Sequence, residues 1–270
     1  AALASCRTIL LDYRSKRIPP HKDDKVLADW NAMLICALVQ ANALVSHEPL
    51  RTSAKIAFAF ITEHMFVDGK LSHSWRQGQR LDIGFASDYA WAARAALALY
   101  RSEPDPAEKQ RYLKQAEEFL SILKERFTHS NGGFYMTDNA VAALAFSEHW
   151  ILTGDASSRD LADGTLNAFA ADIPNNVFGT ASLLTALDAR TRFKKALVVL
   201  GAGSDANPFL QTLHTQADPA LYVDVIPEDA AKPVELENST WNADETTVFI
   251  CSEKGCSLPA TTPEQVKEQI

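Results

Sequence analysis

The sequence is poor in cysteine, in uninterrupted apolar runs and in concentrated positive charge. Its four cysteines are Cys6, Cys36, Cys251 and Cys256. Only the last two are close, and the four residues between them fit neither a redox C-x-x-C nor half of a common zinc site. All four therefore read as reduced thiols of a cytoplasmic protein. Apolar stretches are broken by Gln40 and Asn42 or by Arg94, short of the roughly 18 residues a membrane span needs, so no membrane partner is expected. The start, AALASCRTILLDYRSKR, carries its charge after its apolar part and reads as mid-helix rather than as a signal peptide, which suggests a piece of a longer protein. A net charge of −8, from 26 basic and 34 acidic residues, argues against nucleic acid. The seven histidines are scattered, and no G-x-S-x-G, Walker, H-E-x-x-H or EF-hand string occurs. No metal and no other cofactor is expected.

What is present is a long helical pattern. Helices are predicted at Ala2–Arg14, Ala28–Ser46, Leu50–Phe66, Gly84–Arg101, Pro106–Phe127, Asn139–Thr153, Ser157–Asp172 and Phe178–Ala189, each rich in Ala and Leu. They are of two kinds. Ala28–Ser46 and Gly84–Tyr100 are apolar on nearly all sides and so should be buried all round. Pro106–Phe127 has one apolar stripe, Tyr112, Leu113, Ala116, Leu120 and Leu123, and a charged opposite face.

Buried and surface helices alternate. Asn31, Asp88 and Asn139 sit near the starts of buried helices, 57 and then 51 residues apart, and glycine-containing links of similar character precede two of them. Such a repeat predicts stacked helical hairpins in inner and outer layers, closed as an α/α toroid or open as a solenoid. After Phe193 the pattern changes to short β-type runs, Ala196–Leu200, Ala220–Ile226 and Thr246–Cys251, with a helix at Pro208–Gln216. The expected organisation is mainly α over 1–192 with a small α/β appendage over 193–270.

Two segments carry chemistry. Arg17–Asn31 brings His21, Asp23, Asp24, Lys25, Asp29, Trp30 and Asn31 to one helix start. Neighbouring carboxylates beside a lysine can tune one another as acid/base groups, or merely cap the helix, the simpler reading for Asp29. Leu71–Tyr89 holds His73, Trp75, Arg76, Arg80, Asp82, Phe85, Asp88 and Tyr89, in a short hairpin running into a buried helix. An ion at Asp88 is costly there unless it is paired, for instance with Arg76 or Arg80, or lines a cavity. Carboxylate, imidazole and aromatic faces together suit a sugar. A competing signal is Gly201–Ala206, which fits G-x-G-x-x-A after a strand, with Asp224 placed 23 residues on as a ribose-binding acid would be.

The motifs also carry a family likeness. RSKRIPPHKDDKVLADWNAMLICAL, LSHSWRQG, FASDYAWAARAALALY, NGGFYMTD, NAVAALAFSEHWILTGD and TTVFICSEKGCSLPATTPEQV resemble, in order, successive blocks of the YyaL-type or spermatogenesis-associated thioredoxin-like family. The resemblance implies an N-terminal thioredoxin-like domain followed by a helical toroid like those of N-acylglucosamine 2-epimerases and six-hairpin glycosidases. This chain would hold only part of that ring. The thioredoxin-like domain and the first part of the toroid would be its missing partners, Ala32 replaces the family's glycine after the WN pair, and a loop usual between Asp138 and Asn139 is short. Asp23, Asp24, Lys25, Trp30, Asn31, His73, Asp88, Tyr89 and Asn139 match family motif positions.

The expected activity is therefore carbohydrate hydrolysis or isomerisation. Asp88, with Asp23 or Asp24, would be the acid/base carboxylates and His73 the alternative proton carrier. Trp30, Trp75 and Tyr89 would wall a saccharide, with Lys25, Asn31 and Asn139 beside it. The alternatives are a non-catalytic scaffold or ligand-binding module, and a nucleotide site at Gly201–Ala206.

Overall fold

The structure, a computed structural model, describes residues 2–20, 22–135, 138–216, 218, 220–228 and 230–270; His21 lies outside the described residues. Helices dominate: α1 (Ala2–Ser15), α2 (Ala28–Val45), α3 (Glu48–Phe60), α4 (Ala86–Ser102), α5 (Pro106–Phe127), α6 (Asn139–Thr153), α7 (Ala156–Ala168), α8 (Ala181–Arg192), α9 (Asn207–His214) and α10 (Pro263–Gln269). Asp29, expected as a cap, does not cap α2, whose N-cap is Leu27 with no side-chain hydrogen bond, but other helix starts are capped by side chains. Asp105 accepts the Glu108 amide ahead of Pro106, and Asp138 and Asp155 accept the amides of Ala140 and Ser158.

Packing follows the hairpin repeat. α2, α4, α6 and α8 touch in succession as an inner row, while α3, α5 and α7 each pack on the inner helix preceding them. α4 is enclosed on all sides, and its small residues Ala90, Ala92, Ala93, Ala95 and Ala96 let the neighbouring backbones approach. α3 does not run straight to Phe66. It widens into a π-helical turn, Ile61–Met65, that puts both of its end residues into the core.

α2 departs from expectation. It buries Ala28, Ala32, Ile35 and Val39 but leaves Met33, Leu34, Leu44 and Val45 between 37% and 64% exposed. α3, α4 and α9 pack against it, and these last four side chains remain open to solvent. α1 likewise has no buried residue. At 18 residues α2 is also long and apolar enough to cross a membrane, by length and composition alone, against the expectation that no stretch would be.

Short strands join the layers. β1 (Val26–Leu27), β4 (Ser74–Arg76) and β5 (Gln79–Leu81) form one antiparallel sheet, and β2 (Phe66–Val67) pairs with β3 (Lys70–Leu71). The predicted hairpin turns at Gln77–Gly78, both with positive φ, the geometry that suits a two-residue turn. Beyond Phe193 lies a mixed sheet of β6 (Lys194–Val199), β7 (Leu221–Ile226), β8 (Thr247–Ser252) and β9 (Gly255–Cys256), in the order β7-β6-β8-β9, with only β6 and β7 parallel.

This sheet sits against the C-terminal ends of the inner helices. Lys195 Nζ donates to the Leu152 carbonyl at the end of α6 (3.1 Å), Arg101 near the end of α4 lies over the Tyr222 ring (5.3 Å), and Arg190 of α8 reaches Glu253 (3.1 Å). Cations at carbonyl-rich helix ends are favourably placed. The inner-helix N-termini, with Asp29, Asp88 and Asn139, are thus left at the opposite mouth.

One thiol expectation is overturned. Cys251 and Cys256 stand opposite each other in the β8–β9 register and are joined by a disulfide, whereas Cys6 and Cys36 are free.

Candidate functional site

β1 pairs with β4 so that Leu27 faces Ser74, and the Ala28 amide donates to the His73 carbonyl (2.9 Å). This draws the start of α2 against the hairpin that enters α4. Asp29, His73 and Asp88 meet there, with one donor atom from each lying within 4.8 Å of the others. Among the described residues this is the set that could gather around a cation.

Asp88 is the third residue of α4 and is fully buried. Its Oδ2 accepts the Phe85 amide (2.8 Å), the reach-back contact of a helix cap, while Oδ1 and Oδ2 lie 3.0 and 3.2 Å from His73 Nδ1. Its partner is therefore His73, not Arg76 or Arg80. Burial pushes its carboxyl above the ordinary value, with nearby Asp29 adding to that, against the pull of the Phe85 amide and His73. His73 keeps about a quarter of its side chain exposed and packs edge-on to Phe85 (4.8 Å).

The other expected residues are dispersed. Asp23 accepts the Lys25 amide and pairs with Lys25 Nζ, each at 3.3 Å, and Asp24 binds Arg76 Nε and Gln77. Both are exposed, and the Lys25 amide and the Arg76 guanidinium respectively hold their carboxyls below the ordinary value. The carboxylate that accompanies Asp88 is Asp29 instead, which also accepts the Trp30 amide (2.8 Å). The sequence spacing hid this role, because it depends on the β1–β4 pairing.

Trp30 is 67% exposed, whereas Trp75 is half-buried against Phe60 (5.1 Å, edge-on). Tyr89 lies wholly inside the core, its hydroxyl accepting from Leu71 N (2.9 Å) and Arg126 Nη1 (3.2 Å), so its ring offers no face to a ligand. Asn31 donates to the Leu27 carbonyl (2.8 Å) and Asn139 accepts the Phe134 amide (2.7 Å). The repeated polar positions thus each tie down the backbone at an inner-helix start. A cavity of about 360 Å³ lies beside Asn31, lined also by Val26, Ser53, Ile56, Ala57 and Phe60.

The nucleotide alternative loses its two supports. Gly201, Ala202 and Ser204 amides bond to Thr246, Ala243 and Gly201 respectively, and a Cβ on Gly201 would lie 2.2 Å from the Glu245 carbonyl carbon. The glycine serves close packing. Asp224 is buried and paired with Lys109 Nζ (2.5 Å), out of reach of a ribose.

Architecture defines the class first: this is a mainly helical protein of the α/α toroid type. The solved structures it matches include a GH76 α-mannanase of Bacteroides thetaiotaomicron, at a TM-score of 0.50 and 14% identity over 63% of this chain and 52% of that one. A cellobiose 2-epimerase of Bacillus thermoamylovorans follows at 0.48 and 14%, covering 56% and 46%. No protein-family model matches. Homologues of the chain are the spermatogenesis-associated protein 20 sequences, the thioredoxin-like family that its motifs resemble. The Rattus norvegicus protein is 24% identical over 301 aligned residues and the Homo sapiens protein 23%, each alignment covering 97% of this chain. The chain spans 38% of the length of these relatives.

Proposed function

We propose that the chain is the later part of a saccharide-processing helical ring, 1–192, with 193–270 as a docked subdomain, and that His73 is its proton carrier. The observation that carries this reading is the state of Asp88. A glycosidase acid must reach the leaving oxygen; an inverting pair needs carboxyls about 6.5–9.5 Å apart around a water, and a retaining pair, about 5–5.5 Å apart, needs both to reach the sugar. Asp88 is sealed, with both oxygens engaged, and the nearest carboxylate oxygen of Asp29 is within 4.8 Å. Such a carboxylate suits another task, holding the His73 ring by Nδ1 and leaving Nε2 to take or give a proton. Proton exchange at carbon next to a sugar carbonyl, the isomerase or epimerase type of reaction, fits that arrangement better than hydrolysis. Trp30 and Trp75 supply apolar surface for a sugar ring.

The exposed apolar side of α2 is where we place the rest of the ring, so the test uses the full-length parent protein. A panel of aldoses and disaccharides in D2O is followed by NMR for deuterium entering the carbon next to the carbonyl, beside thermal shift. Exchange that falls at least a hundredfold in His73→Gln, on the scale of general-base loss, supports the reading. Hydrolysis products without exchange overturn it. Sugar binding with neither reaction favours the ligand-binding module, in which Asp88 is only a cap.

A further inference from the structure

The Cys251–Cys256 bond does little to constrain the chain. The two residues are five apart, and closing so short a loop removes less unfolded-state freedom than closing a long one. The hairpin they cross is held without it. Ser252 pairs with Gly255 across a two-residue turn, Gly255 has φ 121°, and Ser252 Oγ accepts the Lys254 amide (3.2 Å). From the outside, Glu253 is gripped by Arg190 of α8, which also binds Asp163 (2.9 Å).

The two sulfurs are not equivalent. Cys251 is 3% exposed in an apolar cluster with Leu197, Val199, Leu236 and Phe249. Cys256 is on the edge strand β9, half-buried, with Sγ 3.6 Å from the Glu235 carbonyl oxygen. Cys256 also packs against that cluster, but as the less buried of the two it is the one more open to an incoming thiolate.

We propose that Cys251–Cys256 is a thiol–disulfide exchange site, opened by a dithiol reductant through attack at Cys256, rather than a stabilising crosslink. The reductant's thiolate bonds to Cys256 Sγ as the Sγ–Sγ bond breaks, and Cys251 leaves as a thiolate that takes a proton. The reductant's second thiolate then attacks its own sulfur in the mixed disulfide, and Cys256 leaves and is protonated. One disulfide is reduced and one dithiol oxidised, a two-electron exchange that runs equally in reverse.

The test uses the full chain with the exposed Cys6 replaced, Cys6→Ser; the remaining thiol, Cys36, is half-buried, and desolvation pushes it up to about 11. Native protein is treated with dithiothreitol or with glutathione, quenched with iodoacetamide and read by mass spectrometry of the peptide carrying both cysteines. Dithiothreitol should reduce the pair in the folded state, and glutathione should be trapped on Cys256 over Cys251 by about tenfold or more. Reduction should shift the melting temperature by less than about 4 °C. Cys251→Ser should hold glutathione stably on Cys256; if that variant does not fold, the unsubstituted pair decides. A pair that resists dithiothreitol until urea unfolds the protein, glutathione on Cys251, or a sheet that melts on reduction would each overturn the proposal.

Discussion

Lys109 of α5 and Asp224 of β7 meet at 2.5 Å, 115 residues apart in sequence and both almost closed to solvent. Lys109 Nζ also donates to the Val225 carbonyl (3.1 Å) and lies over the Tyr100 ring (4.2 Å). The pair rivets the outer layer of the ring to the sheet. Removing one partner strands the other charge, so Asp224→Ala should cost about 3–5 kcal/mol, while Lys109→Met with Asp224→Leu should recover much of it. Urea unfolding of the three proteins checks this. A double variant no better than the single one would show that the pair, rather than the stranded charge, supplies the stability.

Acid should loosen the protein through two histidines. Burial holds His149 and His214 below their ordinary value of 6.5, although Glu117 and Asp155, at 3.7 and 3.9 Å, pull His149 the other way. The unfolded chain takes up protons near pH 6.5 and the folded one resists, so their contribution is complete above that pH and is lost as pH falls through the folded values. Unfolding free energy measured from pH 7.5 to 5 should fall, and His149→Gln should flatten the slope. An unchanged slope in that variant would assign the acid loss elsewhere.

Close backbone approach makes a third test. A Cβ on Gly84 would lie 2.1 Å from the Leu71 carbonyl oxygen and 3.2 Å from the Tyr89 ring. Neither backbone nor a buried ring can give way cheaply, so Gly84→Ala should cost about 1–3 kcal/mol or more. Gly78, at φ 83° with open space around it, should lose only about 1–2 kcal/mol as alanine, from backbone strain alone. Thermal unfolding of both variants ranks them. The reverse order would mean that the hairpin turn, not the Leu71–Gly84 contact, limits stability.

What could be read beforehand divides along physical lines. The long helices are legible because each carries its own apolar period, and Pro106–Phe127 and Asn139–Thr153, whose starts are also capped by aspartates, match their observed bounds. The open side of α2 was not, since an all-apolar helix looks the same whether its neighbours are present or absent. At the site, His73 and Asp88 could be singled out because a hairpin and a buried carboxylate leave local marks. Asp29 as their companion could not, because that contact needs the register of β1 on β4. Tyr89 was misplaced as a wall for a similar reason: its partners, Leu71 and Arg126, lie 18 and 37 residues away. The α10 helix is too short to show a period, and the reading of Cys251 and Cys256 as reduced thiols fails because their bond depends on strand pairing.

The relation between Asp88 and His73 can be resolved by pH. In the folded state burial holds the Asp88 proton to a higher pH than the ordinary 3.8 of the unfolded chain. Its titration therefore favours the fold below about pH 3.8 and withdraws that help as pH rises through the folded value. Asp88→Asn cannot ionise, yet it still offers an oxygen to the Phe85 amide. The stability of the native protein relative to Asp88→Asn should thus be greatest in acid and decline as pH rises. Asp88→Ala, which leaves the Phe85 amide and His73 Nδ1 without an acceptor, should be worse than Asn at every pH, by about 1–3 kcal/mol. If the native protein instead gains on Asp88→Asn as pH rises, the hydrogen bonds from the Phe85 amide and His73 outweigh burial, and the carboxylate rather than the acid is the form the fold favours.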